Sequence, residues 1–318
     1  MQSAGEYMDD LTRNMIRIPG GTFSMGSSRF YAEEAPVHRA SVDPFWIERT
    51  PVTNRQFREF VDATGHVTLA ERQPDPRLYP GALPGMLQPG SLVFTAPSHP
   101  VGTDDWSLWW NFVLGANWKQ PYGPGSSLNG IEEHPVVHVA FEDALAYAQW
   151  AGKQLPTEAE WEFAARGGLD GADYAWGDEL MPAGKPMANT WQGVFPHQNT
   201  LEDGFARTSP VGAYPANGYG VVDMIGNVWE WTVDFYAPRH DATDAAKPCC
   251  IPHNPCRTNA EQSIDPCEAN LAIPRRVMKG GSHLCAPNYC MRYRPAARHA
   301  QAIDTSTTHL GFRCVLRD

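Results

Sequence analysis

Cys285 and Cys290 lie five residues apart in the segment KGGSHLCAPNYCMRYRPAAR, residues 279–298. Two thiols that can face one another make a soft donor pair, and such a pair selects Cu(I) over the harder divalent ions. In a regular strand, residues i and i+5 point to opposite faces, so the pair needs a bend between its members. Pro287 and Asn288 are residue types that supply one. Arg292, Arg294 and Arg298 follow closely and are expected to help hold the sulfurs as thiolates. On spacing alone, a disulfide loop or two unrelated buried thiols are the commoner outcomes for such a pair.

Two other clusters could do chemistry. Cys249, Cys250, Cys256 and Cys267, with His253 among them, could build a tetrahedral zinc site. Their irregular spacing and the vicinal pair favour loop thiols near the active site, oxidised in part. His134 and His138 would form a metal pair on a helix. HPVVHVAF reads instead as a strand, where i and i+4 lie about 13 Å apart, so both are expected to be structural.

The elements that must position these residues are sparse. Gly and Pro number 28 each in 318 residues, above the roughly 12% of average usage, so turns and irregular loops dominate. Hydrophobic residues at 42%, with 11 Trp, are enough for a real core. IPGGTFSMGS (18–27) reads as a turn and a short strand, and Phe45-Trp46-Ile47 as a second apolar run. Thr53 and Gln56 form a capping box ahead of a helix from about Asn54 to Thr64, with Gly65 at its end. Residues 66–135 show little periodicity, and the Trp density of Trp106 to Trp118 argues for a packed loop. A second helix follows in FEDALAYAQWAGK, where Ala144, Tyr147, Ala148 and Ala151 share a face and Gly152 stops it. A third has Thr157 and Glu160 as its capping box, Trp161, Ala164 and Ala165 on one face, and Gly167 as the stop. Residues 170–318 read as short strands and loops. No repeat, charge block or flexible linker appears, so the expected architecture is one α+β domain over residues 1–318.

A net charge of −11 disfavours nucleic acid and anionic membrane surfaces as partners. The N-terminal MQSAGEYMDDLTRN has acidic residues and no apolar h-region, and no stretch is apolar enough to span a bilayer. The expectation is a cytoplasmic protein. An odd number of Cys, seven, is weak support for a disulfide framework.

Several segments resemble the formylglycine-generating enzyme, or sulfatase-modifying factor, family. They are IPGGTFSMGS (18–27), PVTNRQFREFV (51–61), HPVVHVAFEDALAYAQWAGKQLPTEAEWEFAARGG (134–168), ANTWQGVFP (188–196), GYGVVDMIGNVWEW (218–231), KGGSHLCAPNYCMRYRPAAR (279–298) and HLGFRC (309–314). Most mark a superfamily that also contains other enzymes and catalytically silent members. GGSHLCAPNYC is the sharper likeness, because it is similar to the active-site strand of the aldehyde-forming oxidases.

The resemblance implies a variant of the C-type lectin-like fold with little regular secondary structure. It implies Cu(I) held near-linearly between Cys285 and Cys290, joined by a cysteine of an unfolded sulfatase-type client polypeptide of the form Cys-x-Pro-x-Arg. With O2 as co-substrate, a hydrogen leaves the client Cβ, and the thioaldehyde hydrolyses to formylglycine. Ser282 would place a small hydrogen-bonding group near the oxygen, and Trp229 would wall the pocket, although a core Trp reads equally well. Structural Ca2+ is implied at two sites. One uses the side chains of Asn189 and Asp203 with the carbonyls of Thr190 and Phe205. The other uses Asp223 and Glu230 with the carbonyls of Gly226 and Val228. Asp223 stands where Asn is commoner. The enzyme would act as a monomer.

Departures from the family pattern are also present. Ala165 and Pro295 occupy positions where the animal members' disulfide cysteines are expected, which predicts Cys314 as a free buried thiol. His283, Ala286 and Pro287 differ from the animal motif and put the client preference in doubt more than the copper. The histidine triad of the superfamily's iron sulfoxide synthases needs an extra helical domain for which this chain has no room. A non-catalytic binding module on the same fold, and an oxidase of a different peptide or small thiol, are the alternatives.

Overall fold

The computed structural model describes Met8 and residues 11–241, 251–268 and 271–318. The start of the acidic N-terminal segment, and Cys249 and Cys250, lie outside the described residues. No helix among the described residues is long and apolar enough to cross a membrane.

Chain order runs β1 Met15–Ile18, β2 Gly21–Met25, β3 His38–Val42, β4 Phe45–Glu48, α1 Asn54–Thr64, β5 Gly90–Phe94, β6 Trp110–Leu114, α2 Phe141–Trp150 and α3 Glu158–Arg166. It continues with β7 Trp229–Phe235, β8 Arg275–Lys279, β9 Arg298–Ala302, β10 Leu310–Gly311 and β11 Val315–Arg317. Two sheets carry the core, one ordered β1-β4-β11 and the other β10-β7-β8-β9. All pairings are antiparallel except β10 with β7. The pairs β2-β3 and β5-β6 stand apart as two-stranded ribbons. The class is α+β and loop-rich, as the composition implies.

The helices form where the sequence places them, because each boundary is written locally. Both halves of the Thr53/Gln56 box are made, and Gly65 ends α1 in the left-handed region at φ 70. Thr157/Glu160 and Gly167 do the same for α3.

Two expectations need correction. HPVVHVAF is not a strand: Pro135 makes only an isolated bridge to Thr53, and His138 turns the chain at φ 61. Its imidazole is buried between Ser91 Oγ at 2.7 Å and the Pro121 carbonyl at 2.8 Å, while His134 meets Thr208 Oγ1 at 3.0 Å. Residues 66–135 also contain the β5-β6 ribbon, whose sequence lacks a clean period of two because both ends of each strand pack against other elements. Trp109 and Trp118 are fully buried, and Trp106 is exposed.

α3 is buried on every side. Trp161, Ala164 and Ala165 enter the core, while Glu158 and Glu162 meet buried cations on β8 and β9. Arg298 Nε donates to Glu158 at 2.7 Å and Lys279 Nζ to Glu162 at 3.0 Å. Burial pushes both carboxyls up, but the charges of Arg298, Lys279 and Arg166 outweigh it and hold them near about 2. This buried ionic layer fixes the two strands that flank the cysteine segment. Cys314 is free and buried, as expected.

Candidate active site

β8 ends at Lys279, and the chain then turns through Gly280 and Gly281 at φ 96 and φ 71. A Cβ on Gly281 would fall 2.9 Å from the backbone of Arg292 and Tyr293, so only glycine lets the segment fold back on itself here. Ser282 to Cys290 follow as two successive turns. Cys285 N–H donates to the Ser282 carbonyl at 2.9 Å, and Cys290 N–H to the Ala286 carbonyl at 2.8 Å. These turns do what a strand could not: Cys285 Sγ and Cys290 Sγ stand 3.2 Å apart. A disulfide needs about 2.05 Å, so the pair is a dithiol held in contact.

The two sulfurs differ. Burial and contact with Cys290 raise the Cys285 thiol well above its ordinary value. Cys290 is lowered, first because the Cys285 thiol donates to it and then because Arg292 lies beside it, with Nη1 at 3.9 Å. Cys285 Sγ in turn accepts the Ser282 N–H at 3.4 Å. Arg292 is aimed by Glu33, at 2.6 Å, and by the Tyr31 ring, 3.9 Å below the guanidinium. The other two arginines do not reach the sulfurs. Arg294 pairs with Glu34 and Arg298 with Glu158, because buried carboxylates far away in the chain claim them. Iodoacetamide is therefore expected to modify Cys290 before Cys285. The rate should rise to its plateau at a lower pH than an ordinary thiol requires, and Cys285→Ser should move that midpoint up. Equal rates at both sulfurs would contradict the asymmetry.

Ser282 Oγ lies 3.1 Å from His309 Nδ1 and accepts the Leu284 N–H at 3.2 Å. Trp229 donates its backbone N–H to the His309 carbonyl at 2.8 Å, and its ring lies 5.9 Å from that of His299. Trp229 and Cys285 are members of one buried cluster. His309, Tyr31 and Glu33 belong to the site, and sequence reasoning did not single them out. HLGFRC flagged the neighbourhood of His309, whereas nothing local marks Tyr31 or Glu33.

An aromatic wall adjoins the cysteines. Trp109, Trp191, Phe195, Leu284 and Ala286 form a small core of their own, with Phe94 and Trp110 packed on it. Tyr289 stacks on Phe195 at 4.5 Å, and the Trp191 N–H donates to the Cys285 carbonyl at 3.0 Å. The β5-β6 ribbon that carries Phe94 and Trp110 continues to a groove of about 730 Å³ lined by Leu78, Leu92, Phe112 and Ile303. Asp75, Glu268 and Asp304 stand on the lining of that groove.

The first expected calcium set converges. The buried Asn189 Oδ1 has no hydrogen-bond partner. The Gln192 amide donates to both the Thr190 carbonyl and Asp203 Oδ2, while Asp203 Oδ1 accepts the Phe205 N–H at 2.9 Å. An orphaned oxygen beside two acceptors bridged by a single donor fits a hard cation. The second set is more constrained. Glu230 Oε2 accepts from both Trp161 Nε1 and Arg313 Nε at 2.7 Å, and its Oε1 accepts Arg313 Nη2 at 2.8 Å. A cation there must share Glu230 with Arg313. Asp223 Oδ2 already accepts the Gly212 N–H at 2.6 Å. No zinc cluster forms: Cys256 and Cys267 are free and exposed, His253 sits against Ser41 and Asp43, and no group of three His, Cys, Asp or Glu that could hold a metal occurs among the described residues.

The sulfatase-modifying factor enzyme 1-like domain matches this chain over residues 3–318. The chain belongs to that family. Over 301 residues it is 54% identical to the formylglycine-generating enzyme of Mycobacterium tuberculosis, covering 95% of this chain and 97% of the relative. Family membership alone does not decide activity. A Bos taurus relative, 37% identical over 308 residues with coverage of 95% and 88%, is an inactive C-alpha-formylglycine-generating enzyme 2. The solved structure of PvdO from Pseudomonas aeruginosa shares the fold, with a TM-score of 0.62 at 22% identity over 96% of this chain and 94% of that one.

Proposed function

We propose that this member of the family converts a cysteine of an unfolded, sulfatase-type client polypeptide to Cα-formylglycine, using Cu(I) and O2. The observation that carries the reading is the unbonded Cys285/Cys290 pair, 3.2 Å apart and asymmetric in acidity, set beside an aromatic wall. Relatives named formylglycine-generating enzyme support the conversion.

Cys285 and Cys290 would hold the copper, a thiolate pair being the donor set that a soft monovalent ion prefers. When bound, Cu(I) supplies a position for the client thiolate and the capacity to react with O2. The chain's own part begins with protons. Cys290 is already biased to the thiolate by Arg292, and Cys285 has one proton to lose on metal binding. Taking a metal–sulfur length of about 2.3 Å, as in zinc thiolates, a collinear pair would need roughly 4.6 Å between sulfurs. The turns after Ser282 and Ala286 must therefore open for such a geometry. Ser282, held by His309, keeps a hydroxyl beside Cys285 without adding bulk. Trp109, Trp191 and Phe195 exclude water along one side of the pair. The acidic groove beyond Phe94 suits the arginine of a Cys-x-Pro-x-Arg segment. Calcium at the Asn189/Asp203 set would tie together loops that have no sheet to hold them.

A competition titration with a Cu(I) chelator, followed by aldehyde capture on a Cys-x-Pro-x-Arg peptide, tests the reading. One ion per chain and a captured aldehyde are expected. Equal product from metal-free protein would remove copper, and no product from either would remove the conversion.

A further inference from the structure

Beyond Trp191, on the side away from the β5-β6 ribbon, lies a second cavity of about 210 Å³. It is smaller than a drug-sized site and is matched to a single side chain. One wall is Pro287, the middle of the loop that joins the two active-site cysteines, and the others include Trp176, Leu180, Met181 and Met187. Tyr293, three residues after Cys290, also lines it. Tyr293 is 1% exposed, yet its hydroxyl has no hydrogen-bond partner. A buried hydroxyl left unpaired is costly, and such groups are normally satisfied by protein, water or ligand. Tyr293 stacks on Tyr174, which stacks on Trp176, so the phenol is fixed in place and does not swing out to find a partner. The nearest charge on the lining is Glu202, which is exposed at the rim.

We propose that this cavity is a specificity subsite for an apolar side chain of the client next to its target cysteine, with the Tyr293 hydroxyl meeting a polar atom of the client there. The proposal rests on the conversion reading above and deepens it. Direction along the client follows from the two flanks of the site. The ribbon and its acidic groove lie on one side of Trp191, and this cavity lies on the other. In a Cys-x-Pro-x-Arg segment the arginine is C-terminal to the cysteine. With that arginine in the acidic groove, the residue that reaches the cavity is on the N-terminal side of the cysteine. Met and Leu fit its thioether and aliphatic walls. Asp would place a carboxylate among apolar groups and near Glu202, with no cation to receive it.

The test uses the full chain and needs no turnover. Two fluorescent peptides carry Ser in place of the target Cys and differ only in the preceding residue, Leu or Asp. Their affinities for the metal-free protein are read by anisotropy. The Leu peptide is expected to bind at least about 10-fold more tightly. Met181→Lys places a cation on the cavity wall and should cut that discrimination several-fold, chiefly by improving the Asp peptide. Met181→Leu should leave it unchanged. Equal affinities for the two peptides, or discrimination untouched by Met181→Lys, would overturn the subsite while leaving the conversion reading standing. Failure of both peptides to bind, together with no aldehyde from a cysteine peptide, would remove the conversion reading and the subsite with it.

Discussion

Cys290→Ser and Cys285→Ser are each expected to lower aldehyde formation by more than about 100-fold, beyond the roughly 10–100-fold that outer partners of a metal ligand carry. Serine keeps the size of cysteine and a hydrogen-bonding atom, so the turns at Ser282 and Ala286 stay closed. What is lost is one of two soft donors. The melting temperature should therefore stay close to that of the wild type while Cu(I) affinity collapses. Either variant retaining about a tenth of the wild-type rate would mean that the dithiol is not the reactive centre. Ser282→Ala is a gentler change, because His309 and the Leu284 N–H lose a partner but the sulfurs keep theirs.

The second large effect concerns folding. Arg294 is 1% exposed, and its guanidinium lies against both carboxylate oxygens of Glu34 and over the ring of Phe30 at 3.7 Å. Arg294→Met removes the cation and leaves Glu34 buried alone, a change that typically costs about 3–5 kcal/mol. For a chain of this length that is a fall in melting temperature of roughly 5–8 °C. Burial already raises the Glu34 carboxyl despite Arg294, so in the variant it takes up a proton at a higher pH still. The loss should therefore be largest at alkaline pH and shrink on acidification. Glu34→Gln combined with Arg294→Met should recover part of it. A single variant as stable as the wild type at pH 8 would show that the pair does not hold the segment after Cys290 in place.

Features with a local cause were readable in the sequence. α1 and α3 announce themselves through capping boxes and a terminal glycine, and the bend between Cys285 and Cys290 through Pro287 and Asn288. Features whose cause lies elsewhere in the chain were not. Nothing near Arg294 or Arg298 says that Glu34 and Glu158 will claim them, so three neighbouring arginines looked alike although only Arg292 touches a sulfur. The β5-β6 ribbon lacks an alternating pattern because Gly90, Ser91 and Val93 are all buried. His309 reaches the site only because β10 pairs with β7 and brings it beside Ser282. The calcium positions came from family likeness, and Arg313 shows its limit: the guanidinium that occupies Glu230 sits in HLGFRC, 83 residues further on.

The central claim is copper- and oxygen-dependent conversion of a peptidyl cysteine. Its most direct test is a mass spectrum of a Cys-x-Pro-x-Arg peptide after incubation with the reduced, Cu(I)-loaded protein. The same sample without oxygen and the metal-free protein in air run beside it. The account predicts the mass loss of thiol replaced by aldehyde in the aerobic, copper-loaded sample alone. An unchanged peptide in all three samples, or the same product without copper, would contradict it.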